Sequence, residues 1–148
     1  MRKYLLLFSI YITGCVSTLT VQDYEPVKSG KKALVRGYEM DYIKQLLSPF
    51  PDDQAILVTG LNDQEFKNNH VQVLALAGEN SLRLRCSFQI QGGYIKSQVN
   101  TVTYELKAGY VYDLVANYSE IRQCEPQLKE VGLYTELSSS NKVLKSDS

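Results

Sequence analysis

The stretch SLRLRCSFQI, residues 81–90, alternates without interruption: Leu82, Leu84, Cys86, Phe88 and Ile90 on one side, Arg83, Arg85, Ser87 and Gln89 on the other. Successive side chains of an extended strand point to opposite faces, so a period of two sustained over ten residues reads as a strand with one face in a core and one in water. Working outward, further β-like runs are ALVRG (33–37), QAILVTGL (54–61), VQVLAL (71–76), QVNTVTYELK (98–107), YVYDLVANY (110–118) and VGLYTEL (131–137). Short runs separated by turn residues fit an antiparallel sandwich or barrel and not βαβ units. Composition agrees, because 11 Tyr and many β-branched residues suit a pleated, half-buried surface. At 148 residues and 44% hydrophobic content the chain is the size of one domain with enough apolar matter for a core.

One segment breaks the β pattern. In YEMDYIKQLLS (38–48), Met40, Ile43 and Leu47, with Tyr42 and Leu46, share a helical stripe that ends before SPFPDD. A short helical insertion is therefore expected between the first two strands, covering an open sheet edge or forming one wall of a groove. Gly92-Gly93 suits a hairpin turn, which would bring Lys96 towards Arg83 and Arg85 as a solvated basic face.

The N-terminus carries an address. Arg2 and Lys3 precede the apolar run YLLLFSIYI (4–12), which is about nine residues long and far short of the roughly 20 needed to span a bilayer. It reads as a removable signal. Ile12-Thr13-Gly14-Cys15 resembles the bacterial lipobox: an aliphatic residue, a small or β-branched residue, Gly or Ala, then Cys. That resemblance implies a diacylglycerol on the Cys15 sulfur and cleavage before it, since the thiolate is the soft nucleophile that alkylation needs. Two or more acyl chains, at about 0.8 kcal/mol per buried methylene, make a stable anchor. Val16 stands where Asp would resemble an inner-membrane retention signal, which implies an outer membrane location facing the periplasm.

The expected organisation is a signal peptide at 1–14, a polar tether at 15–32, a β domain at 33–137 and a flexible tail at 138–148. Cleavage removes two bases and no acid, leaving 14 Lys+Arg against 16 Asp+Glu, a balance of −2. No basic excess is available for nucleic acid, so no nucleic-acid partner is expected.

With Cys15 given to lipid, Cys86 and Cys124 remain as an even pair in an oxidising compartment, and a disulfide between them follows. Structural zinc would need close-spaced ligand pairs, and a redox site a Cys-x-x-Cys; neither is present.

Leu106-Lys107-Ala108-Gly109-Tyr110-Val111-Tyr112 resembles the tyrosine corner of Greek-key proteins, Leu-x-Pro-Gly-x-x-Tyr, with Ala108 in place of proline. In such corners the tyrosine hydroxyl bonds backbone a few residues upstream. The resemblance makes Leu106, Gly109 and Tyr112 architectural. LALAGENSLRLRC (74–86) is similar to the turn and strand of PEGA-like bacterial sandwich domains, with Ala77 where proline is usual and Asn80 where histidine is usual. Together with the lipobox, these motifs resemble small bacterial envelope lipoproteins. They imply an all-β fold, an Ig-like or transthyretin-like antiparallel sandwich of about seven strands with the helical insertion.

Chemistry is hard to find. No Gly-x-Ser-x-Gly or Cys-His arrangement is present, and Asp52, Asp53, Asp63 and Glu65 match no calcium loop. His70, the single histidine, sits in KNNHVQV at the mouth of a strand after a polar loop and reads as a solvated loop residue, not a base or ligand. Asn117-Tyr118-Ser119 fits a glycosylation pattern that has little force in bacteria. No catalysis, metal or cofactor is expected. The expected role is that of a lipid-anchored envelope protein acting through protein contacts; inhibition of a lytic enzyme such as lysozyme, and binding of cell-wall glycan through tyrosine platforms, are the rival readings.

Overall fold

Alternation of apolar and polar side chains becomes a sandwich once two sheets bury their apolar faces against each other. The computed structural model describes residues 20–39, 54–89, 95–118 and 124–140. The expected signal at 1–14, Cys15, the expected helical insertion from Met40 onward, Asp52, Asp53, Ile90, Gly92-Gly93 and residues 141–148 of the expected tail lie outside them.

The described residues form eight strands: β1 (Lys32–Arg36), β2 (Gln54–Leu61), β3 (Gln64–His70), β4 (Gln72–Leu76), β5 (Gly78–Gln89), β6 (Ile95–Leu106), β7 (Tyr110–Tyr118) and β8 (Cys124–Leu133). They form two four-stranded sheets, in the orders β4-β1-β7-β8 and β3-β2-β5-β6. Pairing is antiparallel throughout except between β1 and β7, which run parallel. The opening stretch lies in β5, the longest shared ladder, where Leu82, Leu84, Cys86 and Phe88 face the core. Opposite them lie Ala33 and Val35 of β1, Val73 and Ala75 of β4, and Tyr112 and Leu114 of β7.

The all-β sandwich is as expected, with eight strands in place of about seven. Gln64–His70 is not among the expected β runs, because its side chains are mostly polar and carry no core pattern. Its backbone nevertheless pairs with β2, and it forms the edge of its sheet. At the other end, residues 131–137 are not one strand. Val131, Gly132 and Leu133 finish β8, Gly132 sits at φ +146°, and Tyr134–Ser139 then form a short helix. Ser138 and Ser139, expected in the tail, belong to that helix.

The expected tether also contains structure. A four-residue helix, α1 (Glu25–Lys28), starts with Pro26 in its first turn, and the Asp23 carboxylate accepts the Glu25 N–H at 2.9 Å. Its Val27 is buried against Leu34 of β1 and Val111 of β7, on the face of the sheet turned away from the main core. Tyr24, Val21 and Leu74 join this second cluster, as do Tyr134 and Leu137 of the C-terminal helix, α2 (Tyr134–Ser139). The Tyr24 and Tyr134 rings stack at 5.7 Å, tying the two ends of the domain together. This sheet is therefore covered on both faces, which explains why Ala33, Leu34 and Val35 are all buried.

The chain passes repeatedly between sheets, and each passage has a specific device. After β1, the Gly37 N–H donates to the Val71 carbonyl at 2.6 Å, while Tyr38 bridges to Ile56 of β2 in the other sheet. A β-carbon on Gly37 would overlap the Ile56 carbonyl oxygen, so only glycine fits. Between β4 and β5, the buried Asn80 amide donates to the carbonyls of Leu76 and Gly78 at 2.9 and 2.8 Å. Its side-chain oxygen accepts from Asn62, whose own amide oxygen accepts the Ser81 N–H.

Candidate functional site

Between β6 and β7 the chain changes sheet through Lys107-Ala108-Gly109. The Tyr112 hydroxyl accepts the Lys107 N–H at 3.0 Å, five residues upstream. Gly109 takes φ +81°, a conformation that disfavours side chains, and its N–H donates to Lys32 at 2.8 Å. Leu106 is buried under the turn. The hydroxyl of Tyr112 is thus committed to the backbone, and burial raises its pKa against the opposing pull of the Lys107 N–H.

Cys86 of β5 and Cys124 at the start of β8 form a disulfide with a Cα–Cα distance of 6.3 Å. It joins the two sheets, and both residues are buried. Around it lies a polar clamp that sequence reasoning missed. Gln98 of β6 accepts the Cys124 N–H at 3.2 Å, Asn100 donates to the Cys124 carbonyl at 3.3 Å, and Gln98 donates to Asn100. Tyr104 donates to the Pro126 carbonyl at 3.0 Å, and burial raises its pKa. These side chains share the face of β6 that ends in buried Leu106, so one edge of each sheet is stitched to the other through side chains and a covalent bond. The pattern was concealed because Val99, Thr101 and Thr103 on the wet face are as β-favouring as the residues on the inner one.

The expected basic face is not assembled. Residues directly opposite in an antiparallel pair share a face, and Lys96 pairs with the core residue Phe88, whereas Arg83 pairs with Thr101 and Arg85 with Val99. Lys96 thus falls on the opposite side from both arginines. Arg83 instead bonds Glu65 of β3 at 2.6 Å. A second charged pair, also missed, is Arg36 with Asp113, bidentate at 2.7 and 3.1 Å, with the arginine side chain only 13% exposed. Parallel pairing of β1 with β7 creates it by setting Arg36 beside Asp113.

His70 is the last residue of β3, not a loop residue, and its ring lies 4.7 Å from that of Phe66. Both line an open groove of about 360 Å³ whose other walls are Val21, Asp23 and Pro26 from the N-terminal segment and Gln72, Val73 and Leu74 of β4. Gln72 is itself held by the Tyr24 hydroxyl, which donates to it at 2.6 Å. This groove, which mixes aromatic, aliphatic and polar lining residues, is the candidate functional site.

Among the described residues no three His, Cys, Asp or Glu side chains come together as metal ligands would, and no helix is long and apolar enough to cross a membrane. Asp63 lies in the β2–β3 turn and Glu65 is the second residue of β3. No protein-family model matches the chain, and neither the curated proteins nor the solved structures contain a match to it.

Proposed function

We propose that this is a bacterial envelope lipoprotein, non-catalytic, held to the outer membrane by lipid on Cys15 and acting through contacts with another protein. The observation that carries the reading is the start of the chain: Arg2 and Lys3, a short apolar run, and Ile12-Thr13-Gly14-Cys15. The Cys86–Cys124 disulfide supports it, because such bonds persist in oxidising compartments and are rare elsewhere. The tyrosines support the non-catalytic part: the hydroxyls of Tyr24, Tyr104 and Tyr112 are each spent on bonds that hold the fold.

Metabolic labelling with a fatty-acid probe tests the anchor. Labelled wild-type protein and unlabelled Cys15→Ser protein are expected; an unlabelled wild type, or equal labelling of the two, would refute it.

A further inference from the structure

Among the described strands β3, β4, β6 and β8 are edges, and three of them are charged, short or covered. The β8 backbone at Cys124 and Pro126 is met by Gln98, Asn100 and Tyr104; β3 carries Glu65, Lys67 and two asparagines; β4 is five residues long, and Tyr24 bonds Gln72 at one end of it. The fourth, β6, runs for 12 residues with no proline and no break in its ladder with β5. Its charges, Lys96 and Glu105, stand near the two ends, and residues 97–104 between them are all neutral. Native proteins seldom leave so long and regular an edge unprotected.

Which backbone groups β6 leaves free follows from β5. The Asn62 N–H donates to the Ser81 carbonyl at 2.6 Å and the Thr59 hydroxyl to the Arg83 carbonyl at 3.1 Å, so the odd-numbered residues of β5 turn their N–H and C=O groups to β2. The even-numbered Leu82, Leu84 and Cys86 therefore bond β6, at Val102, Asn100 and Gln98. The Ser87 and Ser97 hydroxyls, 2.8 Å apart, agree, because side chains approach more closely in the non-bonded pairs. Val99, Thr101, Thr103 and Glu105 are left with N–H and C=O groups at the rim. All four are exposed, Val99 to 45%, and none of these backbone groups has a partner among the described residues.

We infer that this edge pairs antiparallel with β6 of a second copy of the chain, with Val102 on the two-fold axis. A two-fold brings the Lys96 end of one strand to the Glu105 end of the other, so opposite charges approach and the neutral stretches meet. Val102 on the axis sets Thr101 opposite Thr103, twice, and Val99 opposite Glu105, twice, with about eight backbone bonds between the copies. Charge selects this register. Arg85 lies beside Val99 on the wet face with no acidic partner among the described residues, while Glu79 and Glu105 stand directly opposite each other on that face, a like-charge pair that is unfavourable alone. In the dimer each Arg85 faces, across one valine, Glu105 and then Glu79 of the second copy; Arg85 and Glu105 backbones are then about 10 Å apart, within the joint reach of the two side chains. With Asn100 on the axis, Val99 would meet Thr101, whose β5 neighbour is Arg83, and arginine would face arginine. The contact is small, in the class of weak and reversible interfaces, so the dimer should dissociate on dilution. The pairing rests on β6 and not on lipid at Cys15.

Two experiments on the full chain test this. In cells that make the protein, Val102→Cys should give a dimer joined by a disulfide at position 102, and Val99→Cys should not, because the two positions 99 would lie about 20 Å apart. Thr101→Pro removes an N–H that points to solvent in the monomer, where an edge strand tolerates proline, so the dilute protein should keep its melting temperature and its Cys86–Cys124 bond. Added to Val102→Cys it should cut the yield of joined dimer at least about tenfold, since each copy loses a bond to the other. Sedimentation of the purified full chain in detergent needs no new thiol: the wild type should pass from monomer to dimer as its concentration rises, Arg85→Glu should weaken the dimer, and Arg85→Glu/Glu105→Arg should restore it. A wild type that stays monomeric up to about 1 mM, equal joining at positions 99 and 102, joining that survives Thr101→Pro undiminished, or a charge swap that restores nothing would overturn the pairing.

Discussion

Removing the Cys86–Cys124 bond tests how much of this domain's stability comes from joining its sheets. The bond closes a loop with a sequence separation of 38. Loop-closure entropy for that length is about 13 cal/mol/K, or about 4 kcal/mol at 25 °C, most of it acting by restricting the unfolded chain. Against a total stability of about 5–15 kcal/mol this is a large share, and in a domain of this size it corresponds to a melting temperature lower by about 15 °C. The fold should nevertheless survive, because Gln98, Asn100 and Tyr104 still hold β8 to β6. The assay is urea unfolding of the oxidised protein beside the Cys86→Ala/Cys124→Ala double variant and the two single variants. All three should lose similar amounts, since either single substitution already opens the loop. A loss below about 1 kcal/mol in the double variant would refute the entropic reasoning. An unfolded double variant would refute the claim that the polar clamp suffices without the covalent bond.

Three further outcomes follow from the corners and the buried tyrosines. Tyr112→Phe leaves the Lys107 N–H without its acceptor and should cost about 1–2 kcal/mol in thermal or chemical unfolding; no measurable cost would remove the hydroxyl from the architecture. Gly37→Ala should destabilise by more than about 3 kcal/mol, because its β-carbon meets the Ile56 carbonyl, whereas Gly30→Ala, in open space at φ +69°, should cost only about 1–2 kcal/mol; equal effects in melting experiments would refute the steric account. Burial raises the pKa of Tyr38, Tyr104 and Tyr112, so the unfolded chain ionises first on the alkaline side. The stability these neutral tyrosines supply is fully present below about pH 10 and is lost as pH rises through their raised folded values. Melting temperatures followed from pH 8 to 12 should fall above about pH 10, and a flat profile would contradict the assignment.

Sequence and structure agree most closely where the apolar pattern and the local geometry have the same cause. Leu82 to Phe88 alternate because one face of β5 is wet, and the same alternation is visible in the chain. The tyrosine corner is legible because Gly109 and Tyr112 act within a few residues of each other. Agreement fails where burial comes from both sides or from neither. Val27 was hidden in a polar segment because the apolar face it covers, Leu34 of β1 beside Val111 of β7, exists only once those two strands have paired. Gln64–His70 was hidden because an edge strand needs only backbone bonds, and those leave no mark on side-chain type. The groove, whose walls come from the N-terminal segment, β3 and β4, had no local signature at all.

The sequence by itself determined the β class, the parity of the cysteines and the expectation of an address at Cys15, because each depends on residue type and short spacing. Tertiary structure alone decided that the segment before Lys32 is part of the domain and that Lys96 parts from Arg83 and Arg85. It also decided that Gln98 and Asn100 guard Cys124, and that β4 ends its sheet beside β1. These are matters of register and sheet order. A shift of one residue in pairing reverses every face, and which residues meet is set by strands far apart in the chain.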